Sequence, residues 1–173
     1  MKTGTKSLLF GTHQFLWHPF TVWLAWVELY GVPGWKETVC IFVHDIGYIF
    51  CPDMDGPCGE KHPELGANIS GRLFGKEYHD LCLYHSRTTS AKHNVAPSFL
   101  CWADKLSIRW EPAWFYLLRA HLSGEIKEYR QHAADFDAIP LSQPDLKWFS
   151  WARDRMVKKA YARDIRPAYE EGS

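Results

Sequence analysis

Histidine and aspartate side chains stand inside, or at the ends of, otherwise apolar segments in several parts of this chain. In the stretch Cys40–Phe50 (CIFVHDIGYIF), His44 and Asp45 lie between Val43 and Ile46. An ionised carboxylate in such surroundings costs several kcal/mol unless a partner compensates for it. A metal ion, a buried salt bridge or a helix cap could each supply that compensation.

Other residues of these two types have similar surroundings. Together with the adjacent pair they are His18, His44, Asp45, His62, His85 and Asp104. Apart from that pair, each is expected on a different helix, and helical bundles build metal centres by pointing ligands from several helices into one cavity. Imidazole and carboxylate ligands without thiolate suit Zn, Fe, Mn, Co or Ni and argue against a structural zinc site of the cysteine type. Taken alone, each histidine is more often a hydrogen-bonded core residue, and Asp104 could pair with Lys105 or Arg109.

Helix signals dominate the segments that must position these residues. Apolar spacing, prolines in first turns and glycine stops define the candidate helices. We predict helices from Pro19 to about Leu29, from about Lys36 to Ile46, from His62 to about Phe74, over 76–86, over 97–110, over 112–133 with a hinge near Ser123–Gly124, and from Asp145 to Arg166. The segments 51–61 and 87–97 are predicted to be loops. Since no sustained strand alternation occurs, the sequence predicts an all-α fold, a compact bundle of about six to eight helices.

Composition and charge restrict the class of protein. The 173 residues are 46% hydrophobic and 23% charged, which is ordinary for one globular domain. Lys plus Arg equals Asp plus Glu, at 20 each, which argues against a protein that coats extended nucleic acid. The apolar segment FLWHPFTVWLAWVELY contains His18, Pro19 and Glu28 and is too short and polar for a membrane span. With no secretory signal visible, we expect a cytoplasmic protein.

The order H … HD … D, formed by His18, His44–Asp45 and Asp104, resembles the HD superfamily of metal-dependent phosphohydrolases. The surrounding sequence is similar to that family too, as HPFTVWLAW, FVHDIGY and WADKLS. HPELGANI and LYHS resemble the additional histidine positions of the two-metal branch, which includes the HD-GYP phosphodiesterases. The resemblance covers about residues 13–110. Residues 1–173 are expected to form a single HD-type domain, with a helical C-terminal extension over about 111–173.

Two positions depart from the HD-GYP pattern. Tyr48 stands where HD-GYP proteins carry a lysine after HDIG, and Tyr84–His85 stands where they carry two adjacent histidines. No GYP sequence follows. The chain therefore resembles the wider superfamily rather than this branch, and cyclic-di-GMP is not the expected substrate.

The resemblance implies a division of the six residues between metal ions. One ion would be held by His18, His44, Asp45 and Asp104. Asp45 would bridge to a second ion held by His62 and His85, and the expected ions are one or two of Mn, Fe, Co, Ni, Zn or Mg. If the second position is empty, His62 and His85 would face the phosphate as general acid or charge stabiliser. The sequence leaves the choice between one and two ions open.

The remaining histidines receive weaker assignments. His13 precedes His18 by five residues and is the alternative first ligand. Only His18 is followed by Val22 and Ala25 at the spacing of the family, so His18 is the residue we assign. His79, His121 and His132 stand among charged residues and are predicted to lie at the surface.

The predicted activity is hydrolysis of a small phosphorylated metabolite, first of all a nucleotide, by a metal-activated hydroxide that attacks phosphorus. Catalytic roles are expected for Asp45, His62, His85 and Arg87. Arg87 is included because it follows a predicted ligand by two residues and a phosphate substrate needs a cation. Two alternatives stay open, a phosphodiesterase that cleaves a cyclic or linear dinucleotide and a non-catalytic HD-fold module that binds a nucleotide. Trp148 and Trp151 on the last helix are candidates for a homo-oligomer contact.

Overall fold

The structure is a computed structural model, and it describes residues 1–54 and 56–162. The described residues form an all-α fold, which confirms the predicted class. The α-helices are α1 (Thr3–Phe10), α2 (Trp17–Tyr30), α3 (Trp35–Val43), α4 (His62–Phe74), α5 (Lys76–Leu83), α6 (Arg87–Lys92), α7 (Phe99–Ser107), α8 (Ala113–Ser123), α9 (Glu125–Asp137) and α10 (Asp145–Ala162). Short 3-10 helices lie at Ile46–Tyr48, Gly59–Lys61 and Ile108–Trp110.

Several predicted boundaries are confirmed by the residues that end the helices. Helix α4 has Pro63 in its first turn and ends at Gly75, whose φ of +95° favours glycine. Gly124, with a φ of +91°, separates α8 from α9 at the predicted hinge. The last helix is described to Ala162, so its predicted end at Arg166 lies outside the described residues.

Three local predictions are wrong. Helix α5 ends at Leu83 rather than at residue 86, so His85 lies in the turn that follows this helix. Helix α3 ends at Val43 rather than Ile46, so His44 and Asp45 lie in the turn that follows the helix. Residues 87–92, predicted to be a loop, form α6. Ser86 caps this helix, because its Oγ accepts a hydrogen bond from the backbone N–H of Thr89 at 3.3 Å.

The largest set of buried apolar side chains joins the helices that carry or directly precede the predicted ligands. Its members come from α2, α3, α4, α5 and α7 and are Val22, Trp26, Cys40, Ile41, Ala67, Cys82, Leu100 and Ala103. Ile41, Cys82 and Ala103 each lie one to three residues before a predicted ligand in the sequence. The packing that stabilises these helices therefore also fixes the positions of the ligands.

A second apolar core belongs to the C-terminal helices α8, α9 and α10. Trp148 is 4% exposed within it and packs with Phe149 and Leu117, while the partly buried Trp151 lies against the same core. Trp148 and Trp151 thus pack against their own chain, and the predicted homo-oligomer contact stays a prediction. Within the described part of the chain, no helix is both long and apolar enough to cross a membrane.

Candidate metal centre

The first group of predicted ligands converges on one oxygen of Asp45. Its Oδ2 atom lies 3.2 Å from Nε2 of His18 and 3.2 Å from Nε2 of His44. Oδ1 of Asp104 lies 3.1 Å from Nε2 of His18 and 3.9 Å from Nε2 of His44. Two ligand atoms that each lie about 2.0–2.2 Å from one cation are roughly 3–4 Å apart. His18, His44 and Asp104 offer ligand atoms that all lie within 4.8 Å of one another and could hold one ion, and Asp45 Oδ2 adjoins the two histidines.

The second group converges on the other oxygen of the same carboxylate. Asp45 Oδ1 lies 3.5 Å from Nε2 of His62 and 3.3 Å from Nε2 of His85. These two imidazole nitrogens are 2.9 Å from each other. The structure thus brings all six predicted ligands together, and Asp45 divides its two oxygens between two groups.

Backbone carbonyls fix the orientation of three of the imidazoles. Nδ1 of His44 donates to the carbonyl of Ile41 at 2.7 Å, and Nδ1 of His62 donates to that of Gly59 at 2.6 Å. Nδ1 of His85 donates to the carbonyl of Cys82 at 2.5 Å. A neutral histidine that donates through Nδ1 has its lone pair on Nε2. Metal-bound histidines have the same second hydrogen bond, which orients the ring and raises its basicity.

When all of its imidazoles are neutral, as metal-bound imidazoles are, the centre of the cluster contains acceptors that face acceptors. The Nε2 lone pairs of His62 and His85 point at each other and at a carboxylate oxygen. Nε2 of His18, Nε2 of His44 and Oδ2 of Asp45 are buried and make no hydrogen bond. Leaving such groups unsatisfied costs about 1–3 kcal/mol each. A divalent cation at each group would satisfy all of these atoms, and the donor set fits that role.

The charges of the two groups differ when protons alone occupy them. Burial lowers the pKa of His18, but its contacts with Asp104 and Asp45 outweigh burial and raise the pKa to about 10. Burial, assisted by the nearby His85, lowers the pKa of His62 to about 3. For Asp45, burial acts to raise the pKa, but the surrounding histidines, His44 first, hold it well below its usual range. The ionised Asp45 thus lies between a protonated His18 and a neutral His62.

Two glycines allow the backbone segments to approach closely enough for this geometry. A Cβ atom on Gly47 would lie 2.0 Å from the carbonyl oxygen of His62, and one on Gly66 would lie 2.5 Å from that of Val43. Contacts this short with backbone atoms force the segments apart. The glycine after the HD pair therefore lets α4 bring His62 to Asp45.

We expect Gly47→Ala to weaken the second group of ligands selectively. The added methyl displaces the start of α4 and costs about 1–3 kcal/mol of folding free energy, as overpacking does. Chemical denaturation and metal titration of the purified variant measure both effects. Gly34→Ala is the matched control, since that exposed glycine has only the flexible end of Glu37 nearby. Unchanged metal binding in Gly47→Ala would show that the contact does not position His62.

Tyr48 has a defined place in the centre. Its ring stacks on that of His62 with 4.1 Å between centroids and 9° between planes, and the residue is 7% exposed. The same ring lies 4.8 Å from that of His13. The tyrosine that replaces the lysine of the HD-GYP pattern thus packs against a predicted ligand and closes one side of the centre.

The centre opens to solvent on one side. The side chain of Asp104 is 24% exposed and that of His62 is 12% exposed, whereas those of His44 and His85 are 0% and 3% exposed. His13, on the segment between α1 and α2, is 21% exposed. Asp104, His13 and His62 are therefore the side chains of the cluster that solvent reaches most.

Arg87 is the first residue of α6 and is partly buried. Its position two residues after His85 places it close to the second group along the chain. The contact with a phosphate that the sequence suggests for Arg87 remains a prediction.

His13 is a residue that sequence reasoning set aside. Its Nε2 atom lies 4.0 Å from Oδ2 of Asp45, and its Nδ1 atom lies 3.2 Å from Oε1 of Glu125. Glu125 follows His13 by 112 residues, so no local pattern links the two. The only sequence signal for Glu125 was its place at the start of α9, just after the hinge glycine Gly124.

Glu125 is fully buried and accepts hydrogen bonds from four hydroxyl groups. The donors are Ser7 at 2.5 Å, Thr12 at 2.6 Å, Tyr129 at 2.9 Å and Ser123. Burial raises the pKa of this carboxyl, but His13 and the hydroxyl donors outweigh it and lower the pKa to about 2. The carboxylate stays ionised inside the protein and attaches the segment before α2 to the C-terminal helices.

A buried ion pair from α8 holds the same segment. Nη2 of Arg119 donates to Oε2 of Glu111 at 2.6 Å, and Nη1 donates to the carbonyls of Gly11 and Thr12 at 3.1 and 3.3 Å. Nε1 of Trp17 donates to the same Glu111 oxygen at 2.9 Å. Residues beyond 110 thus help to position the segment that carries His13 and leads into the helix of His18.

The stability that Glu125 contributes is expected to depend on pH. Since its folded pKa of about 2 lies below the ordinary value of 4.5, its contribution is complete above about pH 5 and is lost as the pH falls towards 2. The difference corresponds to about 3 kcal/mol. Unfolding free energies of the protein and of Glu125→Gln should therefore differ most near pH 6 and converge as the pH falls towards 2. Glu64→Gln, at an exposed position, is the control, and a constant difference for Glu125→Gln would contradict the assignment.

In comparisons with known proteins, no protein family, no curated protein and no solved structure matches this chain. The case for a function therefore rests on the geometry of the centre and on the resemblance of its sequence segments.

Proposed function

We propose that this chain is a metal-dependent phosphohydrolase that acts on a small phosphorylated metabolite, in the first place a nucleotide. One observation carries the proposal. The two oxygens of Asp45 face separate groups of ligand atoms, with the Nε2 atoms of His18 and His44 on one side and those of His62 and His85 on the other. A single carboxylate shared in this way is suited to bridge two cations.

The donor set indicates which chemistry the bound ions would supply. Two divalent cations about 3.5–4 Å apart lower the pKa of a water and stabilise the attacking and leaving oxygens of an in-line displacement at phosphorus. Nitrogen and carboxylate ligands suit Mn, Fe, Co, Ni or Zn, whereas Mg prefers oxygen. Asp45 and Asp104 supply negative charge that offsets part of the charge of the cations.

The side chains of the centre have distinct roles in this proposal. His44 and His85 are almost completely buried and hold their ions away from solvent. His62 and Asp104 border the opening and hold ions that a substrate oxygen can reach. Tyr48 keeps the imidazole of His62 in its plane through the stacked contact. Arg87 is proposed to bind a phosphoryl oxygen, because its planar guanidinium suits that group.

Exposed aromatic side chains favour a nucleotide among phosphorylated metabolites. Phe15 and Phe20 are 51% and 46% exposed, and both belong to the segment that contains His18. Exposed aromatic rings can stack on a base, and Phe15 suits this role better than Phe20, which lies two residues after His18 on α2 and projects from another side of the helix. The chain as a whole is neutral, so the cations of the centre, rather than a basic surface, would attract the phosphate.

A phosphodiesterase that cleaves a cyclic or linear dinucleotide is the second candidate. The complete second group, His62 and His85 on Asp45 Oδ1, favours it, because a two-ion centre can stabilise an alkoxide leaving group. A module that binds nucleotides without cleaving them is the third. The second group argues against a purely structural ion, because it has three protein ligands, Asp45, His62 and His85, whereas a structural ion normally has four and no open position.

A substrate screen tests the proposal and separates these candidates. The purified protein is supplied in turn with Mn, Co, Ni and Zn and incubated with nucleoside mono-, di- and triphosphates, cyclic nucleotides and dinucleotides. Release of phosphate from monoesters supports the phosphohydrolase, and cleavage of diesters alone supports the second candidate. Nucleotide binding with no cleavage under any metal would leave the non-catalytic module.

A further inference from the structure

We infer that His13 is a catalytic residue of this centre, which orients the attacking water and accepts its proton, and that Glu125 is its positioning residue. The inference rests on the proposed function and assigns to it two residues that the metal ligand set does not include. Neither residue belongs to the sequence segments that resemble the HD superfamily signature.

The surroundings of His13 fix which nitrogen carries the proton. Its Nδ1 atom lies 3.0 Å from Oγ of Ser7, 3.2 Å from Oγ1 of Thr12 and 3.2 Å from Oε1 of Glu125. The hydroxyl protons of Ser7 and Thr12 are already donated to Glu125, at 2.5 and 2.6 Å. Every neighbour of Nδ1 therefore presents a lone pair, so Nδ1 must be the donor. The lone pair of the neutral ring is left on Nε2, the atom that faces the metal centre.

The distance to Asp45 separates His13 from the ligands. Nε2 of His18 and Nε2 of His44 lie 3.2 Å from Asp45 Oδ2, whereas Nε2 of His13 lies 4.0 Å from it. Two acceptors at this separation cannot hydrogen-bond directly, but one small donor molecule can bridge them. Because the ring of His13 is 21% exposed, that position is at the opening where substrate and water enter. Its geometry is that of a residue in contact with a reactant.

The chemistry of the step balances within the proposed hydrolysis. A water oxygen forms a bond to phosphorus while the bond between phosphorus and the leaving oxygen breaks. One proton of that water passes to Nε2 of His13 and is then delivered to the leaving oxygen or to solvent. The ionised Glu125, beside Nδ1, stabilises the imidazolium that forms in between. A histidine held by a carboxylate is a common arrangement for this type of proton transfer.

The burial of Glu125 explains why it can position the ring. Its side chain is 0% exposed and accepts Tyr129 and Ser123 as well as the two hydroxyl donors near His13. A carboxylate that accepts so many hydrogen bonds has one orientation. The His13 imidazole that donates to it therefore has a fixed orientation too. Helices α8 and α9, which carry no metal ligand among the six, thereby contribute to the centre.

The test compares His13→Gln, Glu125→Gln and the double variant with the protein loaded with Mn. Steady-state kinetics on the best substrate of the screen, metal content and thermal unfolding are measured for each. We expect His13→Gln to lower kcat by about 10²–10⁴-fold with little change in KM and with unchanged metal content. Glu125→Gln should lower kcat by about tenfold, and the double variant should be no slower than His13→Gln, because the two residues act as a unit. His132→Gln, on the exposed side of α9, is the matched control and should behave like the natural protein.

Each contrary outcome has a distinct meaning. Unchanged kcat in a folded His13→Gln variant would overturn the inference, and so would loss of a metal ion, which would make His13 a ligand. If Glu125→Gln does not fold, Glu125→Asp replaces it, and additive losses in the double variant would remove Glu125 as the positioning residue. Failure of the natural protein to cleave any phosphate ester would instead refute the proposed function, and the inference with it.

Discussion

Replacement of Asp45 by asparagine is expected to lower kcat/KM by at least about 10³-fold and to reduce bound metal at both positions. Each Asp45 oxygen faces a different pair of imidazoles, at 3.2 Å on one side and at 3.3 and 3.5 Å on the other. An amide of the same size keeps one acceptor, loses the negative charge and points a donor at one pair of nitrogens. No other residue of the six contacts both groups through separate oxygens.

Asp80→Asn is the matched control for this prediction. Asp80 lies on α5 in a surface ion pair with Lys76, which is worth little to stability. Circular dichroism should show that both variants keep their helices. If Asp45→Asn retains its metal and its activity, the carboxylate is not a bridge and the ligand assignment is wrong.

Removal of the metal ions is expected to abolish turnover and to leave the helices folded. Eight buried apolar residues on α2, α3, α4, α5 and α7 pack together without contribution from the centre. Without metal, the first group can hold a proton between His18, Asp45 and Asp104, since those contacts raise the pKa of His18 to about 10. In the second group His62 stays neutral, because burial lowers its pKa to about 3. A proton on His18 thus replaces part of the lost cation charge, the neutral His62 adds none, and the apolar core keeps the bundle folded.

Dialysis against a chelator, followed by activity and unfolding measurements, tests this prediction. Turnover should fall to background and return when Mn or Co is added back, while the far-ultraviolet spectrum changes little. The unfolding temperature should fall, because ligands that bind only the native state stabilise it. Loss of the cooperative unfolding transition on chelation would identify the ions as structural and would support the non-catalytic module.

The local parts of the centre were predictable from the sequence because each has a local signal. An adjacent His44–Asp45 pair in an apolar stretch, and single ligands such as Asp104 on apolar helices, are unusual enough to be recognised along the chain. Glycine and proline positions predicted where α4 and α8 end. The same local signals failed at α3, where the His44–Asp45 pair lies beyond the last helical residue, Val43. The close approach of α4 to Gly47 is a tertiary contact that no local signal shows.

The long-range parts of the centre had no such signal. His13 and Glu125 are separated by 112 residues, and the donors around Glu125 come from α1, from the following turn and from α9. Each is an ordinary polar residue in its own segment, and only the packing of α8 and α9 against α1 brings them together. Which Asp45 oxygen faces which pair of histidines likewise depends on the orientation of side chains. The spacing of residues along the chain does not encode that orientation.

Counting the divalent ions bound to each chain tests the central claim most directly. The protein is prepared without chelators, supplied separately with Mn, Co, Ni and Zn, freed of weakly held ions and analysed by inductively coupled plasma mass spectrometry. We predict two ions per chain in the natural protein and one in the variant that combines His62→Ala with His85→Ala. A natural protein that retains no ion under any of these conditions would contradict the metal centre, whatever the arrangement of its histidines.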